Sequence, residues 1–452
     1  MTDSPARADA PLDPIQPSAG SRSQRAAERL RDLVPGGAHA YSKTAAQWPS
    51  TAPAMLSHGR GAWVWDLDGV RYLDWFAGLS SVPLGHAHPA VTAAVTRALE
   101  RGTNFQLPAH AELRAAGLFL DATGDEMVKF GKNASDAVDG AIKLARHATG
   151  RTTIARAADQ PFFSTGDWFI ATTAAASGTL PGAAAHTLGF PYNDRAALAR
   201  LFTDHRDDLA AVICEPVRFV RPEPEFFADL RRLCTAHGTV LIFDETVTGL
   251  KYEFPAARPL TGITPDLTIW GKGIANGLPL SALTGRADLM RQADTTRPPK
   301  PGRAGLLMMS STHGGEAASL AAMTATLTVM RREQALLRTR ATGTALRNTL
   351  DDALTAADVQ DHLTLTGYPV FLGLHARGNE HITDHELRAL FIQEVVRRAC
   401  LFRGIFYATH AHVRDHVDLT ADAVAAAATT CARALAHGPD GLLERPPPRR
   451  VL

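Results

Sequence analysis

The chain has 452 residues, of which 45% are hydrophobic and 21% charged, and its formal net charge is +1. This composition is typical of a globular protein of two or three domains, and the near-neutral charge gives no electrostatic reason to expect nucleic-acid or membrane binding. No apolar run reaches the roughly eighteen residues of a membrane span. Four scattered cysteines without a CxxC pair favour buried thiols over disulfides or zinc ligands. We therefore expect a soluble, cytoplasmic protein without a metal site.

The first predicted elements along the chain are short. Residues 1–23 are rich in Pro, Ala and Ser and have no periodicity, which predicts a disordered segment without a signal peptide. The run "SQRAAERLRDLVPGG" predicts an amphipathic helix that ends at Pro-Gly-Gly, and "GAWVWDLDGVRYLDW" predicts a hairpin that turns at "DLDG". We assign residues 24–85 to an N-terminal segment that contributes to a small domain.

From Pro89 to about residue 290, predicted helices alternate with short apolar runs. The helical stretches include "AVTAAVTRALERG" and "SDAVDGAIKLARHATG", and the apolar runs are "EMVKF", "TTIAR", "WFIATT", "AAVICEP", "TVLIFDE" and "DLTIWGK". Strands interleaved with helices predict a mostly parallel sheet with helices on both faces. We assign residues 86–314 to a large α/β domain.

The remaining residues, 315–452, predict a small α+β domain. The run "GGEAASLAAMTATLTVMRREQALLRTRATGTALRNTLDDAL" predicts one long helix. Strand-like "LTLTGYPVFLGLHAR" follows, and "DHELRALFIQEVVRRAC" and "TADAVAAAATTCARALAHG" predict two further helices.

Polar residues follow two of the predicted strands of the large domain, where ligands gather in parallel sheets. Asn133, Ala134 and Ser135 open a helix whose free N–H groups can hold a phosphate, although plain N-capping explains the same residues. Asp244 and Glu245 end a buried strand. A buried carboxylate needs a partner such as a metal, an arginine or a protonated heterocycle, and a structural salt bridge is the alternative.

Lys272 lies between two glycines at the end of "DLTIWGK", in a chain with only seven lysines. Glycines let a planar ligand approach the amine, and a desolvated amine beside another cation becomes a nucleophile that condenses with an aldehyde. Taken alone, Lys272 is better explained as a turn lysine whose ammonium reaches water. A phosphate cup, a carboxylate for a ring-nitrogen cation and a Schiff-base lysine together are the anchors that pyridoxal phosphate (PLP) requires.

Many ordered blocks from about Leu30 onward resemble the class III aminotransferases of PLP fold type I, in the subgroup similar to glutamate-1-semialdehyde aminomutase. They include "VKFGKNASDAVDGAIKLARHATGR", "AAVICEPV", "LIFDETVTG", "PDLTIWGKGIANGLPLSALTGR" and "SSTHGGEAASLAAM". The resemblance implies a mostly parallel seven-stranded sheet in the large domain, PLP as cofactor and a homodimer with shared active sites.

The resemblance also implies roles for individual residues. Lys272 and Asp244 are the expected catalytic residues: the lysine carries the aldehyde of PLP and the aspartate pairs with the ring nitrogen. Ala134 and Ser135 occupy the phosphate-binding turn. Glu215 matches a strand-end position that we interpret as supporting structure.

Three further residues are expected to contact the cofactor. Phe162 falls where the family stacks an aromatic side chain on the ring. Thr246 lies two residues after Asp244, so strand alternation predicts that it shares a side with the aspartate and packs under the ring. Thr312 matches a threonine that reaches the phosphate of the neighbouring subunit.

Several residues depart from the family pattern. Ala134 replaces a glycine, which requires a negative φ there. Phe162 and Phe163 replace a Tyr-His pair, and Thr246 replaces an aliphatic residue. Lys43 stands near the place of an arginine that binds the substrate carboxylate in the aminomutase, and lysine offers only a point charge instead of a bidentate fork. An exposed loop lysine explains Lys43 equally well.

We expect a transamination in which the freed amine of Lys272 moves the substrate α-proton. The expected donor is glutamate or another amino acid, and the expected acceptor is a neutral or hydroxyl-rich carbonyl compound, such as an aminosugar aldehyde of antibiotic metabolism. One alternative is an isomerase, either an aminomutase or an epimerase at an amine-bearing carbon. Another is a catalytically silent scaffold that binds the cofactor or a partner protein.

Overall fold

The computed structural model describes residues 20–297 and 305–447. Its helices are α1 (Arg22–Leu33), α2 (Ala77–Ser80), α3 (Pro89–Leu99), α4 (His110–Thr123), α5 (Ala134–Thr149), α6 (Asp167–Ile170), α7 (Arg195–His205), α8 (Pro224–His237), α9 (Ala287–Met290), α10 (Ala317–Arg332), α11 (Ala335–Ala356), α12 (Asp384–Arg397) and α13 (Arg414–His437). Its strands are β1 (Leu56–Arg60), β2 (Trp63–Asp66), β3 (Arg71–Asp74), β4 (Met127–Gly131), β5 (Thr153–Ala157), β6 (Thr187–Phe190), β7 (Leu209–Cys214), β8 (Val240–Asp244), β9 (Leu267–Trp270), β10 (Ser281–Gly285), β11 (Leu363–Tyr368), β12 (Phe371–Ala376), β13 (Cys400–Leu401) and β14 (Ile405–Tyr407).

The chain divides into two compact units. The large unit is Pro89–Leu336, and the split unit joins the residues up to His88 to those from Leu337 onward. The division near residue 88 lies close to the predicted one, whereas the second division lies further along the chain than residue 315. Helix α10 belongs to the large unit because it packs against α3 and α4.

A seven-stranded sheet forms the centre of the large unit, in the order β4-β10-β9-β8-β7-β5-β6. Strand β10 runs antiparallel to both of its neighbours, and every other pairing is parallel. Every residue of β7, β8 and β9 is buried. Continuous apolar runs of this kind are typical of parallel strands that are covered on both faces. The predicted α/β fold with a mostly parallel sheet is confirmed.

Two predicted elements are wrong. The run "WFIATT" does not form a strand, because Asp167–Ile170 is the short helix α6, which buries Trp168 and Phe169. A short apolar run fits a buried helical turn as well as a strand. The predicted long Ala-rich helix is two helices, α10 and α11, because the chain breaks at Gln334, whose φ is +49°.

The split unit contains a four-stranded sheet, β1-β2-β3-β13, and a three-stranded sheet, β11-β12-β14. The predicted hairpin is confirmed, since β2 and β3 pair antiparallel around the "DLDG" turn. The predicted N-terminal helix is α1, and the predicted disordered segment lies outside the described residues as far as residue 19. Among the helices that the structure describes, none is long and apolar enough to cross a membrane. The four cysteines are buried free thiols, as predicted.

Candidate active site

The carboxyl ends of β7, β8 and β9 bring three chemistry-bearing residues to one edge of the central sheet. Cys214, the last residue of β7, pairs in parallel with Phe243, so Glu215 and Asp244 follow as neighbours on adjacent strands. Asp244 also pairs in parallel with Ile269 of β9, three residues before Lys272, which reaches the same edge through Gly271. Adjacent strands lie about 4.8 Å apart. Glu215, Asp244 and Lys272 therefore form one cluster at this edge.

Asp244 is a buried carboxylate with one free oxygen. Its Oδ1 accepts a hydrogen bond from the Thr246 backbone N–H at 2.8 Å, and no described residue donates to Oδ2. Burial raises the pKa of Asp244, whereas the Thr246 N–H and the positive charge of Lys272 act in the opposite direction. A buried carboxylate in this position is stabilised by a cation. A protonated ring nitrogen at Oδ2 meets that need.

Glu245 faces away from this cluster. Its carboxylate accepts hydrogen bonds from the Thr248 hydroxyl and from the backbone N–H groups of Ala257, at 3.0 Å, and Arg258, at 2.7 Å. Adjacent residues at a strand end point to opposite sides. Of the two carboxylates that sequence analysis singles out, Asp244 alone belongs to the candidate site, and Glu245 fixes the loop that follows β8.

Lys272 presents an amine without a protein partner. It begins a short 3₁₀ turn, Lys272–Ala275, with φ of +44°, a left-handed conformation that costs a side-chain-bearing residue about 1–2 kcal/mol. No described residue accepts a hydrogen bond from its Nζ or forms an ion pair with it. Burial lowers the pKa of Lys272, and the negative charges of Asp244 and Glu215 oppose that shift. Strained backbone at such a residue is typical of a functional site.

Gly271 is the point at which three segments of the site touch. A Cβ atom on Gly271 would lie 3.0 Å from the Cβ of Ala134 and 3.2 Å from the Cγ2 of Thr246. The turn of Lys272, the turn after β8 and the start of α5 are therefore in close contact. Ala134 begins α5 with a negative φ, as its side chain requires.

Thr246 lies beside Gly271, but strand alternation is not what positions it there. Strand β8 ends at Asp244, so a turn and not strand alternation places Thr246 beside Ala134 and Gly271. The side chain is buried, and its Oγ1 has no hydrogen-bond partner within the described part of the chain. An unsatisfied buried hydroxyl costs about 1–3 kcal/mol, which a bound ligand can recover.

The start of α5 offers donors for an anion. The backbone N–H groups of Ala134 and Ser135 have no acceptor among the described residues, and α5 continues for 16 residues. The Ser135 hydroxyl accepts the backbone N–H of Thr165 at 3.2 Å, so its own hydrogen is directed elsewhere. Free N–H groups at the N-terminus of a long helix bind phosphate groups.

The remaining predicted site residues are less closely tied to the cluster. Phe162 is 39% exposed and its ring lies edge-on to Phe169 at 5.7 Å, whereas Phe163 is buried. Thr312 is exposed and makes no hydrogen bond with the described residues. Lys43 is exposed in the split unit.

Sequence analysis missed two cations of the large unit. Arg218 forms an ion pair with Glu215, with 2.7 Å between Nη1 and Oε1. Lys251 is buried, its Nζ donates to the Gly249 carbonyl at 3.3 Å, and burial together with the charge of Lys272 lowers its pKa to about 7. The available signals were the scarcity of lysine in the chain and an arginine three residues after a strand-end glutamate.

A family model described as "Aminotransferase class-III" matches residues 44–423. The chain belongs to the class III aminotransferase family. Among the curated relatives of this chain, a glutamate-1-semialdehyde 2,1-aminomutase of Rhodopirellula baltica is 33% identical over 365 residues, which cover 78% of this chain and 81% of that protein.

Solved structures are similar to this chain along most of its length. The PLP internal aldimine form of FumI from Sphingopyxis sp. MTA144 is similar with a TM-score of 0.84 and 25% identity, covering 95% of this chain and 99% of FumI. An ω-transaminase from Sphaerobacter thermophilus has a TM-score of 0.80 and 27% identity, covering 92% and 98%.

PLP is the cofactor of this member of the class III family, and the residues of the site fit it. The free N–H groups of Ala134 and Ser135 suit its phosphate, the free Oδ2 of Asp244 suits its ring nitrogen, and the unpaired amine of Lys272 suits its aldehyde. The Thr246 side chain, whose hydroxyl is unsatisfied within the described part of the chain, lies beside Gly271. No side chain of the site has to lose a hydrogen bond for PLP to bind.

Proposed function

We propose that this class III family member is an aminotransferase that moves the amino group of an amino-acid donor to an aldehyde or ketone acceptor. PLP supplies an aldehyde that takes up the amino group and a ring that accepts the electron pair left at the substrate carbon. The observation that supports this most directly is the unpaired Lys272 amine at the same strand-end edge as the half-satisfied Asp244 carboxylate.

The chain's own residues then have separate tasks. Lys272 takes the proton from the amine-bearing carbon of the substrate, which requires a neutral amine, and burial lowers the pKa of this lysine. Asp244 keeps the ring nitrogen protonated through charge and a hydrogen bond at Oδ2. The free N–H groups of Ala134 and Ser135 would hold the phosphate and so orient the cofactor.

Two departures from the aminomutase pattern favour a transaminase. Lys43 replaces the arginine that binds the substrate carboxylate, and a lysine cannot reproduce its bidentate fork. Phe162 and Phe163 replace a hydroxyl and an imidazole with apolar rings. These changes support a carbonyl acceptor other than glutamate 1-semialdehyde, and a neutral, hydroxyl-rich aldehyde is the class that we propose.

A second candidate function is an aminomutase. It is favoured by the curated relatives, since the Rhodopirellula protein and one of Nitratidesulfovibrio vulgaris, 38% identical over 285 residues, both carry the name glutamate-1-semialdehyde 2,1-aminomutase. Both reactions begin with the same proton transfer by Lys272, so the residues of the cluster do not separate them.

Substrate stoichiometry distinguishes the two functions. PLP-loaded enzyme is incubated either with glutamate 1-semialdehyde alone or with glutamate and a set of aldehydes. An aminotransferase transfers at most one amino group per active site from a single amine and turns over continuously once an acceptor is added. Continuous isomerisation of glutamate 1-semialdehyde without any acceptor would instead assign the aminomutase function.

We also propose that the active unit is a homodimer. Large apolar side chains are exposed on the large unit, including Phe105, at 53%, Leu107, at 76%, and Met308, at 66%. Exposed apolar groups of this size favour a protein interface. Thr312 lies four residues after Met308 and is free to contact a second chain.

The dimer proposal is tested by sedimentation and by complementation. Wild-type protein is expected to sediment as a dimer, and Leu107→Asp is expected to dissociate it. Co-expression of Thr312→Ala chains with Lys272→Ala chains is expected to restore one fully wild-type site in each mixed dimer. A fully active monomer would overturn the proposal.

A further inference from the structure

Arg218 is the more exposed half of a buried ion pair beside the proposed catalytic residues. Its Nη1 lies 2.7 Å from Oε1 of Glu215, and 19% of the arginine side chain is exposed against 2% of the glutamate. A guanidinium carries five N–H donors in a rigid fork. Within the residues that the structure describes, the Arg218 side chain donates a hydrogen bond to Glu215 alone. Its remaining donors have no acceptor among the described residues, and part of the side chain is exposed.

The main chain around this pair is held firmly in place. The Gln160 side chain donates to the Glu215 carbonyl at 3.0 Å and accepts the Glu215 N–H at 2.7 Å. The Tyr252 hydroxyl donates to the Arg218 carbonyl at 2.8 Å. The loop after β7 is thus fixed both to the segment after β5 and to the segment after β8, so Arg218 differs from a freely moving surface arginine.

The charge of Arg218 acts on the same groups that serve the proposed reaction. Burial is the main cause that lowers the pKa of Lys272, and the guanidinium of Arg218 lowers it further. The same guanidinium opposes the rise that burial causes in the pKa of Asp244. The effect of Arg218 on both groups agrees with the strand register, in which Glu215 and Asp244 directly follow a pair of residues on adjacent strands. Arg218 therefore lies at the same strand-end edge as the Lys272 amine.

We propose that Arg218 binds the carboxylate of the amino-acid donor and so determines which amines the site accepts. This rests on the proposed aminotransferase function, which requires such a donor. Arginine binds a carboxylate through two parallel N–H···O bonds, a geometry that Lys43 cannot offer. The Glu215 carboxylate does not bind the donor carboxylate. Its Oε1 is engaged by Arg218, and ionised carboxylates accept hydrogen bonds but do not donate them.

Glu215 makes this binding depend on pH. Burial raises the pKa of Glu215 to about 7, Arg218 and Lys272 oppose the rise, and Asp244 and Glu245 add to it. A second carboxylate on Arg218 repels ionised Glu215 and favours its protonated form. Carboxylate binding is therefore expected to weaken as pH rises through about 7, and Glu215→Gln is expected to remove that dependence.

The first test compares two amines that differ in the carboxylate. PLP-loaded wild type, Arg218→Gln and Arg218→Lys are mixed with L-alanine or with 2-aminopropane, and the first half-reaction is followed through the cofactor absorbance. We expect Arg218→Gln to raise the apparent Kd of alanine about 10–100-fold, the value of a hydrogen bond to a charged group, and to leave that of 2-aminopropane unchanged. The apparent Kd of alanine for Arg218→Lys should lie between the values for wild type and Arg218→Gln. Equal losses for both amines, or no loss for alanine, would overturn the proposal.

The second test needs no turnover. Acetate is titrated into the same PLP-loaded proteins, and binding is read from the cofactor spectrum and from thermal protection. Wild type should bind acetate more tightly at pH 6 than at pH 8, and Arg218→Gln should bind it weakly at both pH values. The control is Arg195→Gln, whose arginine pairs with Asp229 on the surface, and it should match wild type. If no amine reacts but acetate binding still requires Arg218, the aminotransferase proposal fails and the carboxylate site stands. Acetate binding that is absent, or independent of Arg218, overturns the site.

Discussion

The Thr246 backbone N–H donates to Oδ1 of Asp244 at 2.8 Å, and Oδ2 of the same buried carboxylate has no donor among the described residues. The two oxygens therefore have different tasks: one closes the turn after β8, and the other is left for a ligand. A full negative charge held in this way suits a protonated ring nitrogen.

Replacing that charge tests the role of Asp244 directly. Asp244→Asn keeps the size of the side chain and can still accept from Thr246, but it no longer favours a proton on the ring nitrogen. We expect kcat to fall by about 100-fold or more, as when a preorganised electrostatic partner is lost. Asp207→Asn, at a side chain that is 89% exposed, is the control and should retain activity. An Asp244→Asn enzyme within threefold of wild type would contradict the assignment.

Thr246→Val is expected to stabilise the PLP-free protein and to weaken PLP binding. Its buried hydroxyl is unsatisfied in the chain alone, so valine should raise the free energy of unfolding of the PLP-free protein by about 1 kcal/mol. If the hydroxyl donates to the cofactor, the same change should weaken PLP binding about fivefold or more. Urea unfolding and PLP titration measure the two effects. Unchanged PLP affinity would remove the hydroxyl from the site.

Gly271→Ala tests the close contact among the three segments of the site. The added methyl group would lie 3.0 Å from the Ala134 Cβ and 3.2 Å from the Thr246 Cγ2, so the start of α5 must move away from the turn of Lys272. We expect PLP affinity to fall about tenfold and stability by about 1–3 kcal/mol, as for other overpacked positions. Gly117→Ala in α4 is the control, because its methyl group meets open space and helical alanine is favoured by about 0.5–1 kcal/mol. Equal effects of the two substitutions would argue against the contact.

Much of the fold and part of the site follow from the sequence. The apolar runs that end at Asp244 and just before Lys272 are long enough to predict buried parallel strands, and parallel strands align their carboxyl ends. That alone places Asp244 and Lys272 together. The helix that begins at Ala134 is predicted in the same way, because its apolar positions recur with helical spacing.

The parts that sequence analysis missed depend on where loops direct their side chains. Thr246 lies beyond the end of β8, so the period of two that predicts strand faces no longer applies to it. Arg218 and Lys251 belong to loops whose paths are fixed by tertiary hydrogen bonds from Tyr252 and Gln160, and those pairings have no local pattern. The break at Gln334 likewise requires a residue with positive φ, and a glutamine in the sequence does not predict that conformation.

Lys251 gives a prediction about the pH dependence of stability. The folded protein lowers the pKa of Lys251 from 10.5 to about 7, mainly by burial. Between these pH values the unfolded state binds more protons, so this group makes stability rise with pH, and below about pH 7 the folded state bears the full cost of the buried charge.

Lys251→Met removes that cost. We expect it to raise the free energy of unfolding of the PLP-free protein by about 1–4 kcal/mol near pH 6.5, and by progressively less as pH approaches 10. Urea unfolding at several pH values measures the difference. Lys129→Met replaces an exposed lysine and should show no such trend. A gain that is constant with pH, or a loss at pH 6.5, would mean that Lys251 is not a buried charge.

The central claim is that the amine of Lys272 joins the aldehyde of PLP. Wild-type protein and Lys272→Ala are loaded with PLP, reduced with borohydride, digested and analysed by mass spectrometry. The account predicts one reduced cofactor per wild-type chain on the peptide that contains Lys272, and no stable adduct on Lys272→Ala. A colourless wild-type protein without an adduct, or an adduct on Lys251 in place of Lys272, would contradict it.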